Sequence, residues 1–473
     1  MGFGSREPKP MPFIIGKTMH NVRPLGLLLA GLLLAGVAPA FAQIAPSAPA
    51  QAPAPDPRYK ADVLVIIAHP DDDTAVSTFL AKAVFDEHKR VAVLFTNRGN
   101  SGPNAVGLEQ GKALADVREM EARRSLAARG ITNVWFLNGQ DTPTQDVLHS
   151  LETLGHGAAL EETVRLIRLT RPDVVMTWLP AYVAGENHGD HQASGVVAAE
   201  AFDIAGDPTV YPEQVSAPRY NRGIANYGEG LRPWQAKKLY FFSDSAHPGF
   251  LKGHGPTYLA TDISQAKKVP FSQINRDAWK DYATQLDFDD QTLRYFTDMP
   301  EYLVLGKSLV QSPVEADVFT GIDDKPLAYV SEPARPAPAH EGITLSLGGP
   351  WDFYDKFYPA HGLQSLEGLV NPPQTALGSD HQLWVPLLLR NGTAEPVEIT
   401  VQQDLPAGWK AVNPPGTYRV EPGSAWPIQL FFTAPAETGL KSPQTLRWTA
   451  RKIGTEIGTA ELSVYLEYDG VPQ

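Results

Sequence analysis

The sequence predicts an α/β protein with a mostly parallel, doubly wound sheet, followed by an antiparallel β-sandwich. Apolar, β-branched runs recur between residues 61 and 179, and helical segments separate them, which is typical of the first architecture. The sandwich is predicted from short segments that alternate apolar and polar residues between Pro and Gly turns beyond residue 381. At 473 residues, the chain is also too long for one ordinary hydrophobic core.

The strands of the α/β part are expected to be buried on both faces of their sheet, because their apolar runs are nearly continuous. The predicted strands cover residues 61–68, 91–96, 134–137, 174–179 and 237–243. The predicted helices cover residues 74–88, 109–129, 160–170, 191–204 and 274–286. The less regular stretch 206–340 is expected to complete this domain and to build loops around its site.

The C-terminal segments have the period of two that half-buried strands require. They cover residues 382–389, 397–403, 426–432, 444–451 and 460–468. An aromatic segment at 351–358 (WDFYDKFY) precedes them. Its rings could stack on a sugar or pack between two domains, and we favour packing.

The N-terminal residues have the order of a secretory signal. Lys17 and Arg23 precede an apolar run at 25–37, and Ala40-Phe41-Ala42 follows as a cleavage site. A membrane anchor is the alternative, but the run is short for a bilayer span of ~20 residues. We therefore expect a secreted or periplasmic protein that is cleaved after Ala42 and keeps no stable membrane span.

The expected domain organisation follows from these patterns and from two Pro-rich stretches. It comprises a signal peptide at 1–42, an Ala/Pro-rich linker at 43–58, an α/β domain at 59–332, a linker at 333–340 and a sandwich domain at 341–473.

Composition excludes several classes of function. The 40 Lys and Arg against 53 Asp and Glu give a formal net charge of -13, which argues against a nucleic-acid partner. The chain has no cysteine, so it has neither disulfides nor thiolate metal ligands nor a cysteine nucleophile. Any bound metal must therefore use His and carboxylate ligands.

Two polar motifs follow predicted strands. Ala68-His69-Pro70-Asp71-Asp72-Asp73 ends the first strand, and Asn187-His188-Gly189-Asp190-His191 comes after the fourth. Alone, the first could be an acidic turn and the second a polar surface turn. Because parallel strands end at the same edge of a sheet, both motifs can instead meet at one site.

Together the motifs offer the donors of a catalytic zinc site, which uses three protein ligands and leaves one position for water. His69, Asp72 and His191 can supply the three ligands. Asp71 can then act as general base, and His188 as a second acid/base group that Asp190 orients. His/carboxylate sites also admit other divalent metals, so zinc is one choice among several.

With AHPDDD at 68–73 and HGDH at 188–191, the sequence resembles the PIG-L/LmbE family of zinc-dependent N-acetylglucosaminyl deacetylases. The resemblance covers about 59–205 and implies a Rossmann-like fold with one zinc ion on His69, Asp72 and His191. It also implies Asp71 as base and His188 as the group that stabilises the oxyanion.

Two weaker matches extend the resemblance. Arg118 lies in a helical R-x-x-E segment and would contact substrate, and Asp141 after the third strand would bind a sugar hydroxyl. The family motif usually ends in Glu where Asp73 stands here, so support around the ligands can differ.

We therefore expect an exported zinc hydrolase that removes the acetyl group from an N-acetylated sugar or glycan. One alternative is a zinc amidase with another N-acyl substrate. Another is a glycan-binding protein whose metal site is vestigial.

Overall fold

In the computed structural model, the described residues are 54–181, 188–216, 229–243, 248–286, 289–331, 341–369, 372–377, 381–435 and 443–466. Residues 50–473 form one compact unit. The predicted signal peptide lies outside the described residues, as do most of the first predicted linker and all of the second. The division into domains therefore stays a prediction.

The strands are numbered along the chain. They are β1 Val63–Ile67, β2 Val91–Asn97, β3 Asn133–Gly139, β4 Val174–Trp178, β5 Lys238–Phe242, β6 Thr257–Tyr258, β7 Glu301–Tyr302, β8 Val304–Ser308, β9 Ile343–Leu347, β10 Gln374–Leu377, β11 Gln382–Asn391, β12 Val397–Asp404, β13 Lys410–Ala411, β14 Thr417–Val420, β15 Ala425–Thr433, β16 Gln444–Lys452 and β17 Thr455–Leu466.

The helices are numbered in the same way. They are α1 Ser77–Ala81, α2 Lys112–Ala128, α3 Val147–Leu154, α4 His156–Thr170, α5 Gly189–Ile204, α6 Pro212–Val215, α7 Phe271–Trp279, α8 Asp290–Asp298 and α9 Pro350–Ala360.

A six-stranded sheet in the order β3-β2-β1-β4-β5-β8 forms the centre of the α/β part. The pairs from β3 to β5 are parallel, and β8 pairs antiparallel with β5. The strand order reverses direction between β1 and β4, which leaves a crevice at the carboxyl ends of these two strands. The predicted Rossmann-like α/β class is confirmed.

Both faces of this sheet are covered, as the continuous apolar strands require. Alternate side chains of β1, β2, β4 and β5 pack against α3, α4 and α5 on one face. The intervening side chains pack against α1 and α2 on the other face.

Three predicted helices differ from those observed. The helix expected at 274–286 is observed as α7, which begins at Phe271 and ends at Trp279, and turns follow it. The helix expected at 74–88 is a 3₁₀ turn at Asp72–Val76, then α1, then a π-helical turn at Lys82–Asp86. The helix expected at 160–170 extends back to His156 and follows the separate helix α3, with Gly155 between them at a φ of 71°. Glycine adopts this left-handed conformation without steric strain.

The C-terminal strands form the predicted sandwich. Its two sheets have the orders β10-β17-β16-β12-β14 and β13-β15-β11-β9, and their inner faces share one core. All pairs are antiparallel except β10 with β17.

Helix α9 carries the aromatic segment, and its inner rings pack against the α/β part. Tyr354, Phe357 and Tyr358 are buried in the same core as α3, α4 and α5. For these three rings the structure supports packing over sugar stacking. Within the described residues, every helix is too short or too polar to cross a bilayer.

Candidate metal centre

The two sequence motifs meet at the crevice between β1 and β4. His69 and Asp72 follow β1 directly, and His191 lies in the first turn of α5. Gly195 lets this helix approach β4 closely, because a Cβ there would lie 2.4 Å from the carbonyl oxygen of Trp178. The close approach places the first turn of α5 above the end of β4.

Three ligand atoms form a nearly equilateral triangle at this point. His69 Nδ1 lies 3.1 Å from His191 Nε2. Asp72 Oδ1 lies 3.4 Å from His69 Nδ1 and 3.3 Å from His191 Nε2. Zinc ligands at 2.0–2.2 Å in a tetrahedron are separated by about 3.3–3.6 Å. The triangle therefore fits a tetrahedral zinc ion within about 0.2 Å, and its fourth position is left for water or substrate.

The second oxygen of Asp72 is held by three donors. The backbone N–H groups of Ala68 and His69 donate to Oδ2 at 2.8 and 2.9 Å, and Trp178 Nε1 donates at 2.7 Å. The same indole stacks on the ring of His191, with centroids 4.1 Å apart and planes at 5°. Trp178 thus holds two of the three candidate ligands, and Oδ1 of Asp72 faces the two imidazole nitrogens with which it could share a cation.

Carboxylates surround the ring of His69. Its Nε2 lies 3.4 Å from Asp141 Oδ1 and 3.5 Å from Asp190 Oδ2, on the side of the ring away from the triangle. Burial lowers the pKa of His69, but these carboxylates and Asp72 together hold it well above its usual value. The negative potential that retains a proton on this ring also favours binding of a divalent cation.

Other groupings of possible ligands exist at the same place. A ring nitrogen of His188 lies within 4.8 Å of those of His69 and His191, and a second group joins His69, Asp141, His188 and Asp190. Asp72 is the better candidate for the third ligand, because its Oδ1 lies at nearly equal distances from both rings and its Oδ2 already accepts three hydrogen bonds. The carboxylates of Asp141 and Asp190 accept hydrogen bonds from Ser101, Thr142 and Ser150.

Asp71 has the environment of a base that works near neutral pH. It lines a cavity of about 410 Å³ together with the three ligands. Burial, and then the charge of Asp72, raise the pKa of Asp71 to about 8. A carboxylate with a raised pKa accepts a proton more readily than an ordinary surface carboxylate.

His188 borders the same cavity and caps the N-terminus of α5. Its Nδ1 accepts a hydrogen bond from the backbone N–H of Asp190 at 3.2 Å. Burial and the rings of His69 and His191 lower the pKa of His188 to about 3. The neutral ring therefore carries its proton on Nε2, where it can donate a hydrogen bond to a substrate oxygen.

Asp190 contacts His188 through its backbone amide, whereas its carboxylate lies beside the ring of His69. Oδ2 accepts from Asn97 Nδ2 at 3.3 Å and from Thr142 N at 3.0 Å. Oδ1 accepts from the hydroxyls of Thr142 and Ser150. These four donors hold the carboxylate beside Nε2 of His69, where it can orient the ring.

Arg118 and Asp141, which the resemblance implied as substrate contacts, both line the cavity. The Arg118 guanidinium donates to the carbonyl oxygens of Gly99 and Pro103, at 2.8 and 2.7 Å, and so braces the cavity rim. Its Nε has no hydrogen-bond partner among the described residues. Asp141 accepts from Ser101 N at 2.9 Å. Burial raises the pKa of Asp141, but the neighbouring His69 ring lowers it by more, so this pKa lies below its usual value.

Asp73, the position where the family usually has Glu, points away from the ligands. It is fully buried and forms an ion pair with Arg129 and a hydrogen bond with the Tyr282 hydroxyl. Because a 3₁₀ turn has three residues per turn, successive carboxylates point in different directions. Asp73 therefore anchors the turn that carries Asp72.

Several residues of the site could not be found from the sequence. Asn97, Thr142 and Ser150 hold Asp190, and no motif distinguishes them from other polar loop residues. Thr284 and Gln285 line the cavity from the irregular stretch after α7. Trp178 lies in the fourth predicted strand, and its hydrogen bond to Asp72 depends on the strand order, which the sequence does not show.

Part of the chain is similar to known proteins. Residues 64–202 match the family described as PIG-L, GlcNAc-PI de-N-acetylase. A relative in Frankia alni, 1D-myo-inositol 2-acetamido-2-deoxy-alpha-D-glucopyranoside deacetylase 1, is 30% identical over 189 residues, which cover 37% of this chain and 59% of that protein. The mycothiol S-conjugate amidase of Streptomyces coelicolor is 25% identical over 290 residues, which cover 55% of this chain and 97% of that protein.

Among solved structures, the N,N'-diacetylchitobiose deacetylase from Pyrococcus horikoshii superimposes with a TM-score of 0.38 and 18% identity, over 52% of this chain and 84% of that one. The chain spans 59% of the length of the Frankia deacetylase, and 55% and 60% of two relatives with the same activity in their names.

Proposed function

We propose that the chain is a metal-dependent hydrolase that removes the acetyl group from an N-acetylglucosamine-type substrate, because residues 64–202 match the PIG-L family. The single observation that supports this most strongly is the ligand triangle of His69, Asp72 and His191, with edges of 3.1–3.4 Å. Asp71 and His188 stand at the same cavity.

Zinc is the metal we propose, one ion per chain. A zinc ion held by these three residues would lower the pKa of a water molecule to about 7 and polarise a carbonyl oxygen. The support is the donor set of two imidazoles and one carboxylate, together with distances that suit tetrahedral coordination.

Asp71 and His188 would then move and hold the protons of the reaction. Asp71 accepts a proton from the water molecule that attacks the acetamide carbonyl carbon. His188 Nε2–H donates a hydrogen bond to the carbonyl oxygen, on which negative charge develops. As the C–N bond breaks, the Asp71 carboxyl returns its proton to the leaving nitrogen, and acetate and a free amine result.

The substrate class is proposed from the family and from relatives whose names specify an acetylated glucosamine joined to inositol. One relative is named an amidase, and this favours a second candidate, hydrolysis of another N-acyl amide by the same site. Arg118 and Asp141 are the proposed substrate contacts, because both line the cavity beside the ligands.

We also propose that the chain is exported. The support is the charged, apolar and small-residue order of residues 17–42, which precedes the first described residue. The mature protein would meet its substrate outside the cytoplasm.

Acetate release tests the proposed reaction directly. Purified protein is incubated with N-acetylglucosaminyl-inositol, N-acetylated chitooligosaccharides and an N-acylated amino acid, before and after chelation and after zinc is restored. We expect acetate from the sugar substrates only when zinc is present. Release from the N-acyl amino acid alone would favour the amidase. Bound metal with no product from any substrate would favour a glycan-binding protein with a vestigial site.

A further inference from the structure

Both ends of the connection between β4 and α5 are tied to helix α9. The Tyr358 hydroxyl donates to the carbonyl oxygen of Pro180, just after β4, at 2.7 Å. The Tyr354 hydroxyl donates to Gln192 Oε1, in the first turn of α5, also at 2.7 Å. The two tyrosines lie one helical turn apart, and their rings stack at 5.3 Å. One stacked pair of rings therefore bonds the chain both just after β4 and in the first turn of α5.

Gln192 links these contacts to the metal centre. It follows the ligand His191 in the chain, its side chain is fully buried, and its Nε2 donates to the Gln145 carbonyl oxygen at 3.1 Å. With Oε1 held by Tyr354, the amide is fixed from two sides. Because Gln192 and His191 share one helical turn, fixing the first restricts rotation of the second about the helix axis.

A second tie reaches the site from β10. The side-chain amide of Gln145 pairs with the backbone of Ala376, accepting from its N–H at 2.9 Å and donating to its carbonyl oxygen at 3.1 Å. The preceding residue, Thr144, accepts from Gly189 N at 2.7 Å. The loop that presents Asp141 and Thr142 to the centre is thus held between β10 and the start of α5.

These contacts exceed what packing alone requires. A phenylalanine at either tyrosine position would bury similar apolar area, yet each buried tyrosine hydroxyl donates to a specific acceptor, Gln192 Oε1 for Tyr354 and the Pro180 carbonyl oxygen for Tyr358. A buried polar group gains little net stability from a hydrogen bond, but it strongly disfavours any arrangement that leaves it unpaired. Such pairs fix one relative position of the elements that carry them.

We propose that α9 and β10 form a positioning element for the metal centre, with Tyr354, Tyr358, Gln192 and Gln145 as positioning residues. They set His188 and His191 at the distance from His69 and Asp72 that a shared cation needs. The C-terminal part of the chain is then a component of the metal site rather than an independent binding or spacing module. This role is additional to the proposed deacetylase activity and does not depend on the substrate.

Metal affinity of full-length variants tests the proposal. The variants are Tyr354→Phe, Tyr358→Phe and the double variant, and the probe is Zn²⁺ in competition with a chromophoric chelator. Tyr258→Phe is the matched control, because Tyr258 is equally buried and its hydroxyl bonds Asp317, outside the cavity of the metal centre. Loss of groups that orient ligands lowers metal affinity by about 10- to 100-fold.

We expect about tenfold weaker zinc binding for each single variant, a larger loss for the double variant and wild-type affinity for Tyr258→Phe. The visible spectrum of the Co²⁺-substituted double variant should also shift, since the ligand geometry relaxes. Wild-type affinity in both single variants would overturn the proposal, even if their melting temperatures fall. Equal loss in Tyr258→Phe would overturn it too. If one single variant fails to fold, the other carries the same expectation at the opposite end of the connection.

The outcome is separable from that of the proposed function. If the wild-type protein shows no deacetylase activity but its tyrosine variants bind zinc more weakly, the positioning element is supported and the deacetylase is rejected. If the wild-type protein is an active deacetylase and the variants bind zinc with full affinity, the deacetylase is supported and the positioning element is rejected.

Discussion

Trp178 gives the sharpest test of how the ligands are held. The change Trp178→Phe keeps an aromatic face against His191 but removes the Nε1–H that donates to Asp72 Oδ2 at 2.7 Å. Two of the three donors to that oxygen remain, the backbone N–H groups of Ala68 and His69. The Asp72 carboxylate therefore keeps two hydrogen bonds to the backbone. Because both come from neighbouring amides, they no longer prevent the carboxylate from rotating.

The expected loss follows from the type of hydrogen bond. Trp178 donates to an ionised carboxylate, because the His191 and His69 rings hold the pKa of Asp72 well below its usual value even though burial raises it. A hydrogen bond to a charged group contributes about 1.5–3 kcal/mol, which corresponds to about 10- to 150-fold in an equilibrium constant. We expect zinc affinity to fall by about 10- to 100-fold, in line with the removal of other groups that orient metal ligands.

Chelator competition on the purified variant measures this loss. Trp448→Phe is the matched control, because Trp448 is equally buried but lies in the sandwich core. The reasoning is refuted if Trp178→Phe binds zinc as wild type does, or if Trp448→Phe loses as much affinity as Trp178→Phe.

Three further predictions follow from the same geometry. Asp71→Asn should keep its zinc and lose about 10²- to 10⁴-fold in kcat, the usual range for general-base removal, and a rate near wild type would reject Asp71 as the base. Arg129→Met should destabilise the fold by about 3–5 kcal/mol in urea unfolding, because it leaves the buried Asp73 carboxylate without its cation; an unchanged midpoint would contradict this. His156 bonds Glu200, and this hydrogen bond raises the pKa of His156 above 6.5. The pair therefore stabilises the fold fully below about pH 6.5, and this contribution is lost as the pH rises through the raised pKa. The melting-temperature difference between wild type and Glu200→Gln should therefore shrink from pH 6 to pH 9, and a difference independent of pH would count against the pairing.

The sheet and the meeting of the two motifs could be predicted because both depend on local pattern. Continuous apolar runs specify strands buried on both faces, and the position of His69 and His191 after such strands places them at one edge. The five C-terminal strands could be predicted equally well, because apolar and polar residues alternate along each segment. These segments correspond to the observed strands β11, β12, β15, β16 and β17.

The contacts around the ligands could not be predicted, because they depend on which way each side chain turns within a short helical element. Three consecutive Asp residues resemble one acidic cluster in sequence, yet only Asp72 reaches the ligand triangle, and Asp73 turns to Arg129. Spacing likewise suggested that Asp190 would orient His188. Because α5 begins at Gly189, the Asp190 carboxylate instead faces His69.

The edge strands of the sheet and the long-range contacts were the hardest parts to predict from the sequence. Strand β8 joins the sheet antiparallel at its border and is only partly buried, so its sequence lacks the continuous apolar run of the central strands. The role of α9 depends on contacts with residues more than 160 positions away, such as Tyr354 with Gln192. No local pattern encodes a partner at that distance.

Metal content tests the central claim most directly. Wild-type protein, His191→Ala and the control His156→Ala, whose ring bonds Glu200 outside the cavity, would each be equilibrated with zinc, freed of loose metal and analysed for bound ions per chain. We predict about one zinc ion in wild type and in His156→Ala, and almost none in His191→Ala, because two coordinating atoms cannot replace the three that a catalytic zinc site uses. Equal zinc in all three proteins, or none in wild type, would contradict a shared site built from the ends of β1 and β4.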